Sequence, residues 1–273
     1  MGDIKSLALA AGLIVSSASV TIAADLPAPA PIVPLRGPIE PAGFYLRGDI
    51  GFSNQEVERL DNALYSLAPT ANLSRGFDAA PFGGFGIGYK FNSWIRTDLT
   101  VEYRARANFK GLDRYVDPTL PTGFGTDEYH GSKSEWVGLA NVYFDLGNWW
   151  SFTPFVGVGI GTAYNTISNF RDTNITTAGV AYAPSASMWN LAWALHAGVA
   201  YDVTPNFAIE FGYRYLALGD ARSGDLTTYN GVNLINNPMV FRNLTSHDFK
   251  LGFRWLLGGD YAPAPPVAVM RRG

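Results

Sequence analysis

The 273-residue chain has no cysteine, which excludes disulfide staples and thiolate metal sites. It is poor in charge: 16% of its residues are Asp, Glu, Lys or Arg, against about 25% in an ordinary soluble domain. Its 20 Lys and Arg are outnumbered by 23 Asp and Glu, giving a net charge of −3, so it carries no basic footprint for nucleic acid. Past the N-terminus no run approaches the roughly 18 consecutive apolar residues that a spanning helix needs. A helical membrane protein is excluded. Only three histidines are available for metal or acid–base chemistry.

What the chain does have is alternation. From Ile95 to Ala107 the odd positions are mostly apolar, while the even ones read Arg96, Asp98, Thr100, Glu102, Arg104 and Arg106. A two-residue period marks a strand whose faces meet different environments. Strands in soluble sheets usually run about 5 to 6 residues, whereas a tilted bilayer crossing takes about 9 to 11. The length favours a membrane-spanning β-barrel.

Eight such stretches are expected near Phe44–Gln55, Ala80–Phe91, Ile95–Phe109, Ser134–Leu146, Phe152–Thr166, Asn190–Val203, Phe207–Leu218 and Thr245–Leu256. Long polar connections at Glu56–Ala79, Lys110–Lys133, Ile167–Trp189 and Gly219–Leu244 alternate with short ones at Asn92–Trp94, Gly147–Ser151 and Thr204–Asn206. In outer-membrane barrels the short turns face the periplasm and the long loops face outward. The expectation is an all-β, eight-stranded antiparallel transmembrane barrel with four long extracellular loops and three short periplasmic turns.

The ends read differently. Met1 to Ala24 has Lys5, a small-and-apolar stretch and small residues at Thr21–Ala24, the pattern of a cleaved signal peptide. Residues 25–42 are a proline-rich periplasmic tether, residues 43–257 the barrel, and residues 258–273 a second proline-rich segment.

One face of the strands carries Leu46, Ile50, Leu99, Val101, Val158, Leu195, Phe211 and Phe253. The other carries Arg47, Asp49, Arg96, Asp98, Glu102, Arg104, Glu210, Arg214, Lys250 and Arg254, with glycines at Gly84, Gly86, Gly88, Gly157, Gly159 and Gly161. An eight-stranded barrel encloses little more than its own side chains. Glycines there make room for large neighbours, so the charged face is expected to be the lumen. Charges of both signs in that space should pair across strands, because an unpaired buried charge costs several kcal/mol. A soluble lipocalin-like barrel would turn the apolar face inward instead. Against it, Trp94, Trp149, Trp150 and Phe152 sit at the short turns, and Tyr103, Trp136, Trp189, Trp193 and Tyr215 sit towards the long loops, as two interfacial girdles require.

These residues carry a resemblance. The start Ala24-Asp25-Leu26-Pro27, the opening strand Gly43-Phe44-Tyr45-Leu46-Arg47-Gly48-Asp49-Ile50-Gly51 and the Gly-x-Gly-Tyr run at Gly86–Tyr89 resemble the small outer-membrane immunogenic proteins of alphaproteobacteria. These belong to the wider opacity-like and OmpA-like eight-stranded barrels. The resemblance implies a structural, surface-exposed outer-membrane protein supporting envelope integrity and contact with a host or ligand. The implied partners are outer-membrane lipid, lipopolysaccharide and the outer-membrane assembly machinery. Such barrels usually end on an aromatic residue, whereas here Phe253 and Trp255 are followed by a tail ending Met270-Arg271-Arg272-Gly273.

Other constellations in the chain offer different chemistry. His130-Gly131-Ser132 with Glu128 and Glu135 has the residue types of a nucleophile, base and orienter, but falls in an expected loop. His196 is expected to be luminal and His247 near the mouth of the last strand. No enzyme, metal or resident cofactor is expected. Tyr65, Tyr115, Tyr129, His130, Tyr182 and Tyr229 could stack on a flat ligand such as haem, and some members of the resembled family are associated with haem binding. A narrow solute pore and a haem receptor are the two alternatives to a structural and surface-contact role. Asn72-Leu73-Ser74, Asn174-Ile175-Thr176 and Asn243-Leu244-Thr245 match glycosylation acceptors, which a bacterial barrel gives no meaning.

Overall fold

A computed structural model describes residues 42–258. The expected signal peptide, the expected tether up to residue 41 and the proline-rich segment from residue 259 lie outside the described residues. Eleven strands follow in order: β1 (Gly43–Asp61), β2 (Thr70–Phe77), β3 (Ala80–Lys90), β4 (Ile95–Val116), β5 (Phe124–Asp145), β6 (Phe152–Asn174), β7 (Val180–Ala183), β8 (Ala186–Thr204), β9 (Phe207–Arg222), β10 (Thr227–Thr228) and β11 (Val240–Leu256). Eight of them close a ring in the order β1-β3-β4-β5-β6-β8-β9-β11, and every neighbour is antiparallel. Closure is made by β11 on β1, from Tyr45 opposite Leu256 to Asp61 opposite Val240. A closed ring leaves no edge strand, which a bilayer would not tolerate.

The membrane-facing surface is legible in exposure. Ile50, Phe52, Phe85, Leu99, Val101, Val158, Ile160, Leu195, Phe211 and Phe253 all point outward and are exposed. Tyr103, Trp136, Tyr164 and Trp189 stand directly opposite one another across four consecutive strands and form one continuous row. The second girdle, at the short turns, includes Trp94 with Phe144, Phe152 with Tyr201, and Phe44 with Tyr89. On β6 the two girdles fall at Phe152 and Tyr164. At about 3.3 Å per residue and a tilt of about 40°, they lie roughly 30 Å apart in height, the thickness of a hydrocarbon layer.

The strands do not stop there. The segments expected as long loops at Glu56–Ala79, Lys110–Lys133 and Ile167–Trp189 are largely strand, and Gly219–Leu244 is strand at its two ends, so the wall continues beyond the membrane. β4 runs on to Val116, and β5 already begins at Phe124. β2 pairs with the projecting part of β4, from Thr70 opposite Tyr115 to Phe77 opposite Phe109, where β3 has ended. β7 and β10 add to the projecting part of β6.

At the point of emergence the ladder slips. Register shifts fall between Arg104 and Ala107 on β4, between Ser168 and Arg171 on β6 (opposite His130 and Ser132 of β5), and between Phe241 and Thr245 on β11. Asn169 and Asn243 take positive φ there, at 53° and 52°, a conformation that asparagine tolerates better than most residues. The extra residue on β4, β6 and β11 changes which parity faces inward on those strands, while β5 keeps its odd residues inward throughout. Below the β4 bulge Arg104 points in and Leu99 points out. Above it Ala107 and Phe109 point in, while Arg106, Asn108 and Lys110 face water. The barrel is therefore charged inside and apolar outside within the membrane, and apolar inside and polar outside beyond it.

Candidate functional site: a filled lumen beneath an acidic cup

The ten luminal candidates all lie inside the ring, in two ionic tiers. In the tier nearer the short turns, Arg47 makes a two-pronged contact with Asp49, at 2.8 and 2.9 Å, and reaches Asp98 at 2.7 Å and Glu210 at 3.4 Å. Arg96 bridges Glu210 and Asp145, Arg254 approaches the same two carboxylates, and Lys250 lies 3.5 Å from Asp49. In the upper tier Arg214 grips Glu102 at 2.6 and 2.9 Å, and Arg104 contacts Glu102, Glu135 and Asp248. The lower tier sets four cations against four carboxylates. The upper sets Arg104, Arg214 and Lys133 against Glu102, Glu135 and Asp248. Each tier is neutral.

Several members carry no clear signal in the sequence. Lys133 falls in an expected loop and Glu135 beside it, yet both are fully buried and 2.9 Å apart, with Gln55 bridging them. Asp248 is the counter-charge of both upper arginines. Tyr45 and Tyr143 look like ordinary strand aromatics in sequence. Their hydroxyls nonetheless bond Asp98 and Arg47, and Arg96 lies 4.3 Å from the centre of the Tyr143 ring. The glycine column does make the expected room. A Cβ on Gly84 would come within 2.7 Å of the Glu102 side chain, and one on Gly157 within 2.5 Å of the Tyr143 ring.

Above the ions lies an aromatic cap. Phe77, Phe109, Phe170 and Phe241 are buried on the axis, with Phe109 and Phe241 edge-to-face at 4.8 Å. Val57, Leu60, Ile167, Leu218 and Leu244 fill the rest of this layer. These residues form a water-soluble style of core outside the membrane, which the inversion of faces makes necessary. Their burial is worth roughly 1.5–3 kcal/mol for each large side chain.

A cup of about 700 Å³ opens on top of the cap. Tyr129, stacked on Phe170 at 5.8 Å, is part of both. Tyr65, Tyr115, Asp127, Asp172 and Asn174 line the wall, and Leu64, Leu67, Val232, Leu234 and Ile235 form the rim. Asn62 caps a short 3₁₀ turn at Ala63–Ser66 through its side chain, which places Tyr65 so that its hydroxyl donates to Asp113. Asn72 donates to the other oxygen of that carboxylate at 2.7 Å. Asp113, Asp127 and Asp172 come from three adjacent strands. Burial pushes the Asp172 carboxyl up to about 7, helped by repulsion from Asp127 and Asp113. Burial and Asp113 push Asp127 up to about 6.

The other candidates are not brought together. His130 lies in β5, its Nε2 3.0 Å from Glu128 on the partly exposed outer surface, while the Ser132 hydroxyl is buried against Ser168. No nucleophile–base contact results. His196 is luminal and bonds Asn141. His247 sits instead on the outer surface between Tyr213 and Tyr215, because β11 carries it on the outward parity. Of the six loop residues considered for a flat ligand, Tyr65, Tyr115 and Tyr129 share the cup, while Tyr182 and Tyr229 are exposed.

With this geometry in place, comparison with known proteins is decisive. Residues 9–255 match the family model described as the outer membrane protein beta-barrel domain. The chain belongs to the outer-membrane β-barrel family. An uncharacterised protein of Brucella abortus (strain 2308) is 34% identical over 221 residues, covering 74% of this chain and 78% of its own length. The outer membrane protein PagN of Salmonella typhimurium is 30% identical over 190 residues, 65% of this chain and 75% of its own. Among solved structures, Neisserial surface protein A aligns over 79% of this chain and 99% of its own, with 16% identity and a TM-score of 0.44. This barrel is a protein of the bacterial outer membrane, bounded by its lipid.

Proposed function

We propose that the protein is a sealed outer-membrane barrel that contributes to envelope integrity and holds a contact surface clear of the membrane. One observation carries the reading: the change of inward parity at the bulges, which lets a rigid, water-soluble core stand on a membrane-spanning base. A pore has no use for such a core across its mouth. A display platform does, because binding loops are positioned best by a stiff scaffold. The surface offered includes Leu67, Tyr229 and Leu234, which are 69%, 86% and 92% exposed, and aromatic and apolar anchors of this kind dominate contact energies.

The haem reading is weaker on charge. Three tyrosines share the cup, but Tyr65 is committed to Asp113. The carboxylates of Asp127 and Asp172 would repel the propionates of haem.

The test is adherence. A non-adherent bacterial host displaying the intact barrel should bind epithelial monolayers. A variant with residues 227–237 replaced by a short Gly-Ser linker should lose that binding while keeping the heat-modifiable gel mobility of a folded barrel. Equal adherence of the two would overturn the contact-surface reading.

A further inference from the structure

The cup has properties that a contact surface does not require. It is concave, and its volume of about 700 Å³ falls in the range of about 300–1,000 Å³ typical of small-molecule sites. Its lining includes Asp127 and Asp172 and contains no lysine, arginine or histidine. Arg75 favours the charged form of Asp113. Among the described residues neither Asp127 nor Asp172 has an ion-pair partner, in contrast to the neutral tiers below. One oxygen of Asp172, Oδ1, is buried without a hydrogen-bond donor. A buried acceptor left unsatisfied is costly and calls for an explanation.

The rest of the lining narrows the chemistry. Among the described residues no three acidic or histidine side chains converge closely enough to hold a metal ion, so the carboxylates suit a larger cation. Tyrosine faces at Tyr65, Tyr115 and Tyr129 attract an organic cation through their ring quadrupoles. Leu64, Leu67, Leu234 and Ile235 line the opening yet are 41%, 69%, 92% and 41% exposed, leaving apolar area for a ligand body to cover.

We infer that the extracellular cup is a binding site for a small amphipathic organic cation, an ammonium or guanidinium group carried on an aromatic or aliphatic body. The charged group sits between Asp127 and Asp172 against the tyrosine rings, and the apolar body lies under the Val232–Ile235 rim. This goes beyond the contact-surface reading and stands apart from it, since adherence can fail while the cup still binds, and the reverse.

The probe is benzyltrimethylammonium, titrated calorimetrically at pH 8 into the full protein in zwitterionic nanodiscs, with empty nanodiscs as blank and phenylacetate as the anionic counterpart. Saturable one-to-one binding of the cation is expected, with no saturable binding of phenylacetate. The isosteric double variant D127N/D172N, checked for folding by heat-modifiable mobility, should weaken cation binding at least tenfold. The cation–anion comparison on the unaltered protein decides the matter even if the variant fails to fold. Absence of saturable cation binding, equal binding of phenylacetate, or unchanged affinity in a folded variant would overturn the inference.

Discussion

Arg104 and Asp248 face each other across the interior from β4 and β11, strands separated in the ring by β3 and β1, and meet through two parallel contacts of 2.8 Å each. The pair spans the lumen instead of following the wall. Asp248 also takes Arg214 at 2.7 Å, so one carboxylate holds two arginines in place. Asp248→Ala should strand both positive charges and destabilise the barrel by roughly 3–5 kcal/mol, read from urea unfolding in lipid vesicles. A loss below about 1 kcal/mol would mean that water already reaches this tier.

The two sides of the wall should respond differently to truncation. Leu99→Ala removes an outward side chain that is 62% exposed, and lipid fills the gap, so the cost should stay below about 1 kcal/mol. Phe109→Ala, only 1% exposed in the cap, should cost about 3–5 kcal/mol. The measurement is limited proteolysis of the extension together with vesicle unfolding. Equal sensitivity at the two sites would place Phe109 against lipid and contradict the inversion of faces.

The cup should titrate. The carboxyls of Asp172 and Asp127 stand above their ordinary range near 4, at about 7 and about 6, because burial and mutual repulsion penalise the charged forms. The folded value being the higher, their contribution to stability is full below pH 4 and is lost as pH rises through 6 to 7. Carbon-13 carboxyl titration should therefore give an Asp172 midpoint near 7. Protease resistance of the extension should also be greater at pH 5 than at pH 8. A midpoint near 4 would show the carboxyl to be solvated.

Orientation gives a fourth expectation. Protease sites inserted at 118–122, in the turn between β4 and β5, should be cut from outside intact cells, and one at Asn92–Trp94 should not. Reversed accessibility would invert the barrel.

Much of this was legible in the sequence, for a physical reason. Inside the bilayer every residue meets either lipid or a crowded lumen, so Arg47–Asp49, Asp98–Glu102 and Glu210–Arg214 keep a strict period of two that no loop imitates. The extension was hidden by the device that builds it. A period-two count carried past Arg104 puts Phe109 on the face of Leu99, and only the bulge before Ala107 reverses it. Lys133 and Glu135 keep the inward parity of Asp145 on β5, but the expected strand begins only at Ser134, which leaves Lys133 in a loop and Glu135 at its edge. The cup depends on contacts between distant segments, such as Tyr65 with Asp113 and Asn62 with Asn237, for which a single sequence holds no local signal.

We propose that two neutral ionic tiers and the aromatic cap above them close the barrel to ions. Planar-bilayer recording of the refolded, unaltered protein tests it most directly, since eight strands leave room only for side chains whereas general porins use about 16 to 18. A flat baseline is expected, with conductance steps appearing only when a tier is broken, as in Asp248→Ala. Stable, porin-like conductance from the unaltered chain would contradict it.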